Sequence, residues 1–358
     1  MAPAALESIP RETIQQIASS LNLKDVRSLS KTCRSLRSKL YRLIWSRVLI
    51  HGCERDLARQ LKTFDPESEH GRATLALVKN ATILKNMVQP CYHVDLWDAL
   101  KHPVYLTYLG SISQAIMQTL QAMTSLESLN LNVVGLSEQQ ELKFVDLLQE
   151  APEFKLQHLT IRAGFGVAKS FIPRCSHELR SLDTDVFSIS AGLFKSKKLE
   201  RLRIHLYYNR TSSLLYRHSS VINKEEFEML SLRKISNHFP TLKTLILHET
   251  RTYNTGTDNV TLDTGIAIIA NILKKRYPRL EHLAFTSIWL QAYGIEFNDT
   301  FFHNLVGRIA REHRVLKEIC VLVKPPQFYQ WKRGQYITAL QDFHDMPNPR
   351  GFPFGVED

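Results

Sequence analysis

Five cysteines in 358 residues, an odd number with no close pair, give no basis for a disulfide framework or a structural zinc site. Cys33, Cys53, Cys91, Cys175 and Cys320 read instead as reduced thiols of a cytoplasmic or nuclear chain. No apolar stretch approaches the roughly 18 residues a membrane helix needs. The longest, Gly265 to Leu273, is short and broken by Asn271, so no membrane partner is expected. A basic-then-apolar leader is missing from the start, which argues against secretion. Catalytic signatures are absent too. Gly164-Phe165-Gly166 lacks the third glycine of a dinucleotide fingerprint, and His248-Glu249 lacks the second histidine of a zinc protease. Neither a phosphate-cradling glycine loop nor a nucleophile elbow occurs. The expectation is a protein that is not an enzyme and uses no cofactor or metal.

Acidic residues are also in short supply. Lysine and arginine total 46 against 35 aspartates and glutamates, a net charge of +11. Most of the excess, +8, falls between Arg11 and Lys62. An acidic partner, whether protein, nucleic acid or membrane surface, suits such a balance, and it would meet this end of the chain.

What is present begins with three short helical patterns. Pro10 suits the first position of a helix, where a missing N–H costs nothing, and Glu12 in the first turn suits the helix dipole. Ile14, Ile17, Ala18 and Leu21 then share one face. Asn22 can cap a second helix carrying Val26, Leu29 and Cys33, and Leu36, Leu40, Leu43 and Ile44 stripe a third that ends near Trp45. These stripes are too wide for so small a unit to bury alone, which points to a docking surface.

The order and spacing over residues 6 to 46 resemble the F-box family. The family's Leu-Pro-x-Glu start is here Ile9-Pro10-Arg11-Glu12, followed by the aliphatics Ile14, Ile17 and Leu21. Asp25-Val26, Leu29-Ser30, Cys33-Arg34, Leu36 and a closing Trp45 complete the pattern. The departures are Ile for Leu at the start, Val for Leu after Asp25, and Leu36 in place of the usual aromatic. The resemblance implies a domain that docks on an acidic Skp-type adaptor and, through it, on a cullin ubiquitin ligase. Ile9, Pro10, Ile14, Ile17, Leu21, Val26, Leu29, Cys33 and Leu36 are the implied adaptor contacts. Some of them must also build the domain's own core.

Beyond a charged helix from Glu54 to Leu61 and a polar, proline- and glycine-broken loop from Thr63 to Arg72, one pattern recurs: apolar-x-x-apolar-x-apolar. Its copies begin at Leu126, Leu156, Leu199, Leu242, Leu280 and Leu316, with a weaker copy at Leu179 and a degenerate first one over Val78, Ala81 and Ile83. Alternation within each copy predicts a short strand with a buried face. Helical segments lie between, at Ile112 to Met123, Glu138 to Glu150, Glu225 to His238, Ile266 to Tyr277 and Phe301 to Glu312. Leu142, Val145 and Leu148 are the expected anchors of the second. A repeated strand–loop–helix unit is the mark of a solenoid.

The recurrence resembles leucine-rich repeats, and the combination is similar to F-box proteins with divergent repeats of the fungal type. The steps between copies, 20 to 43 residues, exceed in places the usual span of about 20–29. The Asn or Cys expected eight residues after each first Leu is missing. The fold class is therefore read as α/β: an N-terminal three-helix F-box, then an irregular leucine-rich-repeat-like solenoid with parallel strands. The boundaries are an F-box over 1–50, a helix and linker over 51–73, the solenoid over 74–324, and a tail rich in proline and aromatics over 325–358 that caps it.

In such a body, residues alternating with the anchors line an open, concave binding face. Asn130, Asn132, Arg162, Asp183, Asp185, Arg203, His205 and His248 are the candidates for substrate contact, with Ile246, Ala284 and Cys320 at the same alternating positions. The set is mixed in charge, which disfavours nucleic acid. The reading is the substrate-recognition subunit of a Skp–cullin–F-box ubiquitin ligase for an unknown protein substrate. The alternatives are a basic nucleic-acid- or chromatin-associated scaffold, and an F-box protein in an adaptor complex that does not ubiquitinate.

Overall fold

The computed structural model describes residues 9–21, 23–85, 103–175, 177–185, 197–206, 235–249, 270–271, 273–286, 299–324, 327–333 and 341–342. Cys91, Asn22 and the tail from 343 onward lie outside these residues. The chain divides into two compact units: Met1–Leu156 with Arg162–Phe171, and Gln157–Ile161 with Ile172–Asp358. Among the described residues no helix is long and apolar enough to cross a membrane.

The first unit opens with helices α1 (Arg11–Ser19), α2 (Leu23–Thr32) and α3 (Arg34–Trp45). Pro10 stands one residue before the first helical position, and its carbonyl accepts the Ile14 N–H at 3.1 Å. Cys33 ends no helix face. It caps α3, its sulfur accepting the Leu36 N–H at 3.4 Å.

Strand β1 (Arg47–Gly52) follows within two residues, with every second side chain buried. Gly52 closes it at φ +147°, a backbone angle other residues rarely adopt. Helices α4 (Glu54–Phe64) and α5 (Glu69–Leu75) come next. The segment expected as a loop over Thr63 to Arg72 is thus mostly helix. Only a tight turn separates the two helices, with Asp65 left-handed at φ 36° and Ser68 capping α5. Gly71 is what lets α5 approach: a Cβ there would lie 1.9 Å from the Phe64 carbonyl oxygen.

Strand β2 (Asn80–Lys85), helix α6 (Pro103–Ala122), strand β3 (Ser128–Asn132), helix α7 (Glu138–Glu150) and, after β4, helix α8 (Phe165–Phe171) complete this unit. β1, β2 and β3 are parallel neighbours in sequence order, stacking Val48, Ala81 and Leu129, then Ile50, Ile83 and Leu131. α7 has the expected bounds, and of its expected anchors Leu148 is buried and Val145 half-buried, but the row as a whole is shifted. Phe144 and Leu148 are buried with Gln140, while Leu142, expected as an anchor, is 60% exposed. Gln140 explains the choice. Its side chain closes a capping box with Ser137 and donates to Glu54 at 2.6 Å, so a polar residue occupies the inward row.

In the second unit, β4 (His158–Arg162), β5 (Ser181–Asp185), β6 (Arg201–Leu206), β7 (Thr244–Glu249), β8 (His282–Thr286) and β9 (Glu318–Lys324) run parallel in sequence order. Leu159, Leu182, Leu202, Leu245, Leu283 and Ile319 form one register row. These are the anchors of the sequence repeat, so the α/β class and the parallel strands are as the repeat implied. β10 (Gln327–Lys332) turns back antiparallel on β9, and β11 (Gln341–Asp342) pairs with β10. Helix α9 (Asp299–Glu312) buries Phe302, Leu305, Val306 and Ile309, with Phe302 against Tyr329.

The missing Asn ladder has a substitute at the strand starts. The main-chain carbonyl one position before a strand accepts two N–H groups from the next repeat: Arg180 from Glu200 and Arg201, Glu200 from Lys243 and Thr244, Lys243 from Glu281 and His282, Glu281 from Lys317 and Glu318. The side chains of those residues alternate in charge along the ladder. Lys243 pairs with Glu200 at 2.9 Å and Lys317 with Glu281 at 2.6 Å, and in the first unit Lys79 pairs with Glu127 at 2.8 Å.

Candidate functional site

The helical dock holds itself together with a core of its own. Ile14 and Ala18 from α1, Val26 from α2, and Leu36 and Leu40 from α3 are buried together, with Ile9, Leu29, Cys33, Leu43 and Ile44 packed around them. Lys39 ties the entry segment down by donating from Nζ to the Ile9 carbonyl at 2.6 Å, and Gln15 donates to the Lys39 carbonyl at 3.3 Å.

The nine expected adaptor contacts therefore separate. Ile14, Val26 and Leu36 are interior and reach no partner unless the core opens. Ile9, Leu29 and Cys33 are half-buried at its margin. Pro10 is exposed, Ile17 is 48% exposed and Leu21 is 38% exposed, so these three are the apolar groups that face outward. Around them Arg11, Lys24, Arg27, Lys31, Arg34, Arg37 and Arg42 are exposed, which gives this dock a basic surface.

The expected substrate positions fare differently. On β3, Asn130 and Asn132 are half-buried, and the Asn132 side chain accepts the Val134 N–H at 3.4 Å. Arg162, half-buried at the end of β4, accepts the Val133 N–H at its carbonyl, 2.7 Å away. Asp183 on β5 is buried, and Arg203 beside it in register on β6 is half-buried. Asp185, His205 and His248 share the next register row, where only their backbone is described.

The open face expected here is closed along much of the second unit. Ile246, Ala284 and Cys320, which continue the Asp183–Arg203 row, are each at most 1% exposed. The physical reason is legible in the strands: Leu245-Ile246-Leu247, Leu283-Ala284-Phe285 and Ile319-Cys320-Val321 are continuous apolar runs, as parallel strands buried on both faces are. Next to them Glu318 is buried in a polar cluster. It accepts from the Gln330 amide, meets His282 Nδ1 at 3.1 Å and lies 3.8 Å from the Lys332 ammonium. No group of three or more metal-ligating side chains comes together among the described residues.

The corresponding face of the first unit is the open one. On β1, Arg47, Leu49 and His51 are exposed, Leu49 by 56%, and Thr82, Leu84, Asn130 and Asn132 beside them are half-buried. Sequence reasoning missed β1 because its continuous apolar run, Val48-Leu49-Ile50, closely follows the apolar end of α3 and lacks the repeat's spacing.

No curated protein sequence matches the chain at a significant level. A match to a protein family is found over residues 6–44, the stretch that contains the three-helix core: the family is the F-box domain. The helical dock over these residues is thus an F-box domain.

Proposed function

We propose that this chain is the substrate-recognition subunit of a Skp–cullin–F-box ubiquitin ligase. The F-box binds a Skp-type adaptor and, through it, a cullin, and the α/β body holds a protein substrate. The chain contributes no catalytic group. Its effect on rate is to hold the substrate near the ubiquitin-charged enzyme, a proximity and orientation effect. The observation that carries the reading is the outward Pro10, Ile17 and Leu21 on a basic three-helix domain whose own core is already complete. An acidic adaptor with an apolar cleft fits that surface.

The test is co-purification of the full chain with a Skp-type adaptor. Ile17→Asp with Leu21→Asp changes only exposed positions, so melting stays within a degree or two while adaptor capture is lost, as expected when charges are placed in an apolar contact. Adaptor capture unchanged in that variant sinks the proposal. A reconstituted adaptor–cullin complex that binds the chain but never transfers ubiquitin to a captured partner favours the non-ubiquitinating alternative.

A further inference from the structure

Among the described residues strand β1 is the edge of its sheet, with β2 on one side only. In a parallel ladder alternate residues turn both peptide groups to the same neighbour. The Asn80 N–H donates to the Ser46 carbonyl at 3.0 Å, which sets the phase: Val48 and Ile50 bond toward β2, and Arg47, Leu49 and His51 turn outward. At His51 the outward groups are occupied. Gln60 of α4 donates from Nε2 to the His51 carbonyl at 2.7 Å and accepts its N–H at 3.3 Å, as an added strand would. For Arg47 and Leu49 no partner to the outward N–H and C=O exists among the described residues.

An exposed edge invites another strand, and natural proteins blunt edges they do not use. Here the blunting is partial. Gln60 guards one end, Gly52 ends the strand, and the two residues beside the F-box are left open. The open stretch carries an exposed Leu49 and an exposed Arg47, and α4, packed against β1, adds exposed Arg55, Arg59 and Lys62. Among the described residues Arg59 alone of these pairs with a carboxylate, Asp56 at 3.8 Å.

We propose that the outward edge of β1 at Arg47 and Leu49 binds an extended acidic segment of a partner protein by adding it as a strand. Backbone hydrogen bonds to Arg47 and Leu49 supply the grip. Leu49 takes an apolar side chain from alternate positions of the segment, and Arg47 and the α4 cations select carboxylates between them. The surface lies outside residues 6–44. It holds whether or not the assembly ubiquitinates.

The probe is a fluorescein-labelled Glu-Val-Glu-Val-Glu-Val-Glu peptide, with Lys-Val-Lys-Val-Lys-Val-Lys as the charge control, titrated by anisotropy against the full chain. The acidic peptide binds about tenfold tighter than the control, and the difference shrinks with salt. Leu49→Pro removes no ladder bond, because the Leu49 N–H turns away from β2. Its ring blocks pairing at the edge and lowers affinity about tenfold. Gln60→Ala frees His51, lengthens the template and raises affinity about threefold, an effect that side-chain contact alone does not produce. Hydrogen exchange on the wild-type chain reports the same event without mutation, as slowed exchange in the peptide fragment containing Leu49. Equal binding of both peptides, equal binding by folded Leu49→Pro, or unchanged exchange overturns the proposal. So does self-association through β1, abolished by Leu49→Pro, with no affinity for the acidic peptide.

Discussion

At the scale of single residues, apolar identity and helical spacing did not decide which side of a surface a side chain occupies. Ile14 and Ile17 sit on the same expected stripe of α1, yet Ile14 is buried between α1 and α3 and Ile17 faces outward. A turn of helix sweeps about 100° per residue, so residues three apart differ by about 60° and a small core resolves that difference. In α7 a polar residue won an inward place from Leu142 because its hydrogen bonds to Ser137 and Glu54 outweigh the burial of one more leucine. Neither outcome is written in the local pattern. Leu36 is the residue where burial matters most in the dock: it is fully buried at the start of α3, beside the Cys33 cap. Leu36→Ala is expected to cost about 2–5 kcal/mol in chemical denaturation of the F-box helices followed by circular dichroism, as for other fully buried leucines. A loss below about 1 kcal/mol would mean that this core is not the one the helices depend on.

At the scale of elements, the recurring spacing was a better guide. The strands from β2 to β9 fall on the repeated apolar triplets, because a short parallel strand needs an inward residue at alternate positions and a further anchor just before it. The charges between those anchors were equally readable: Arg180, Glu200, Lys243, Glu281 and Lys317 alternate in sequence and become neighbours at the strand starts. Each such pair is exposed and worth at most about 1 kcal/mol, so the alternation acts more on register than on stability. Glu281 stands between Lys243 and Lys317, and the hydrogen bond from Lys317 holds its carboxyl below its ordinary value of 4.5, aided by both lysines' charge. Lowered in the fold, this group contributes stability that is present above pH 4.5 and fades as pH falls through the folded value. Lys317→Met is therefore expected to lower stability near neutral pH slightly and to flatten the acid limb of the stability profile. An acid limb identical to that of the parent chain counts against the pair. Two elements that were not legible, β1 and α5, have ends that depend on contacts distant in sequence or on close backbone approach: pairing with β2, and the approach allowed by Gly71.

At the scale of the whole molecule, the sequence conveys the kind of protein better than the place where it works. Strand positions between anchors point to an open binding face where strands alternate apolar and polar residues, as half-exposed strands usually do. Asn130 and Asn132 keep that alternation, and their strand remains partly open. From β7 onward the alternate positions are Ile246, Ala284 and Cys320, and the face is closed. A substrate surface on those three strands would have to expose a second apolar core, which favours the polar strands for the proposed substrate contact and leaves the proposed strand addition to the edge at β1. Cysteine chemistry separates the two cases without a partner. Burial pushes the Cys175 and Cys320 thiols far above their ordinary range, and the Glu318 carboxylate adds to the effect at Cys320, whereas Cys33 and Cys53 are half-buried. A thiolate-selective reagent read out by mass spectrometry on proteolytic fragments should label Cys33 and Cys53 in the native chain and reach Cys175 and Cys320 only after denaturation. Labelling of Cys320 at the rate of Cys33 would show that the β9 face opens in solution. The Asp183–Arg203 row would then return as a binding surface.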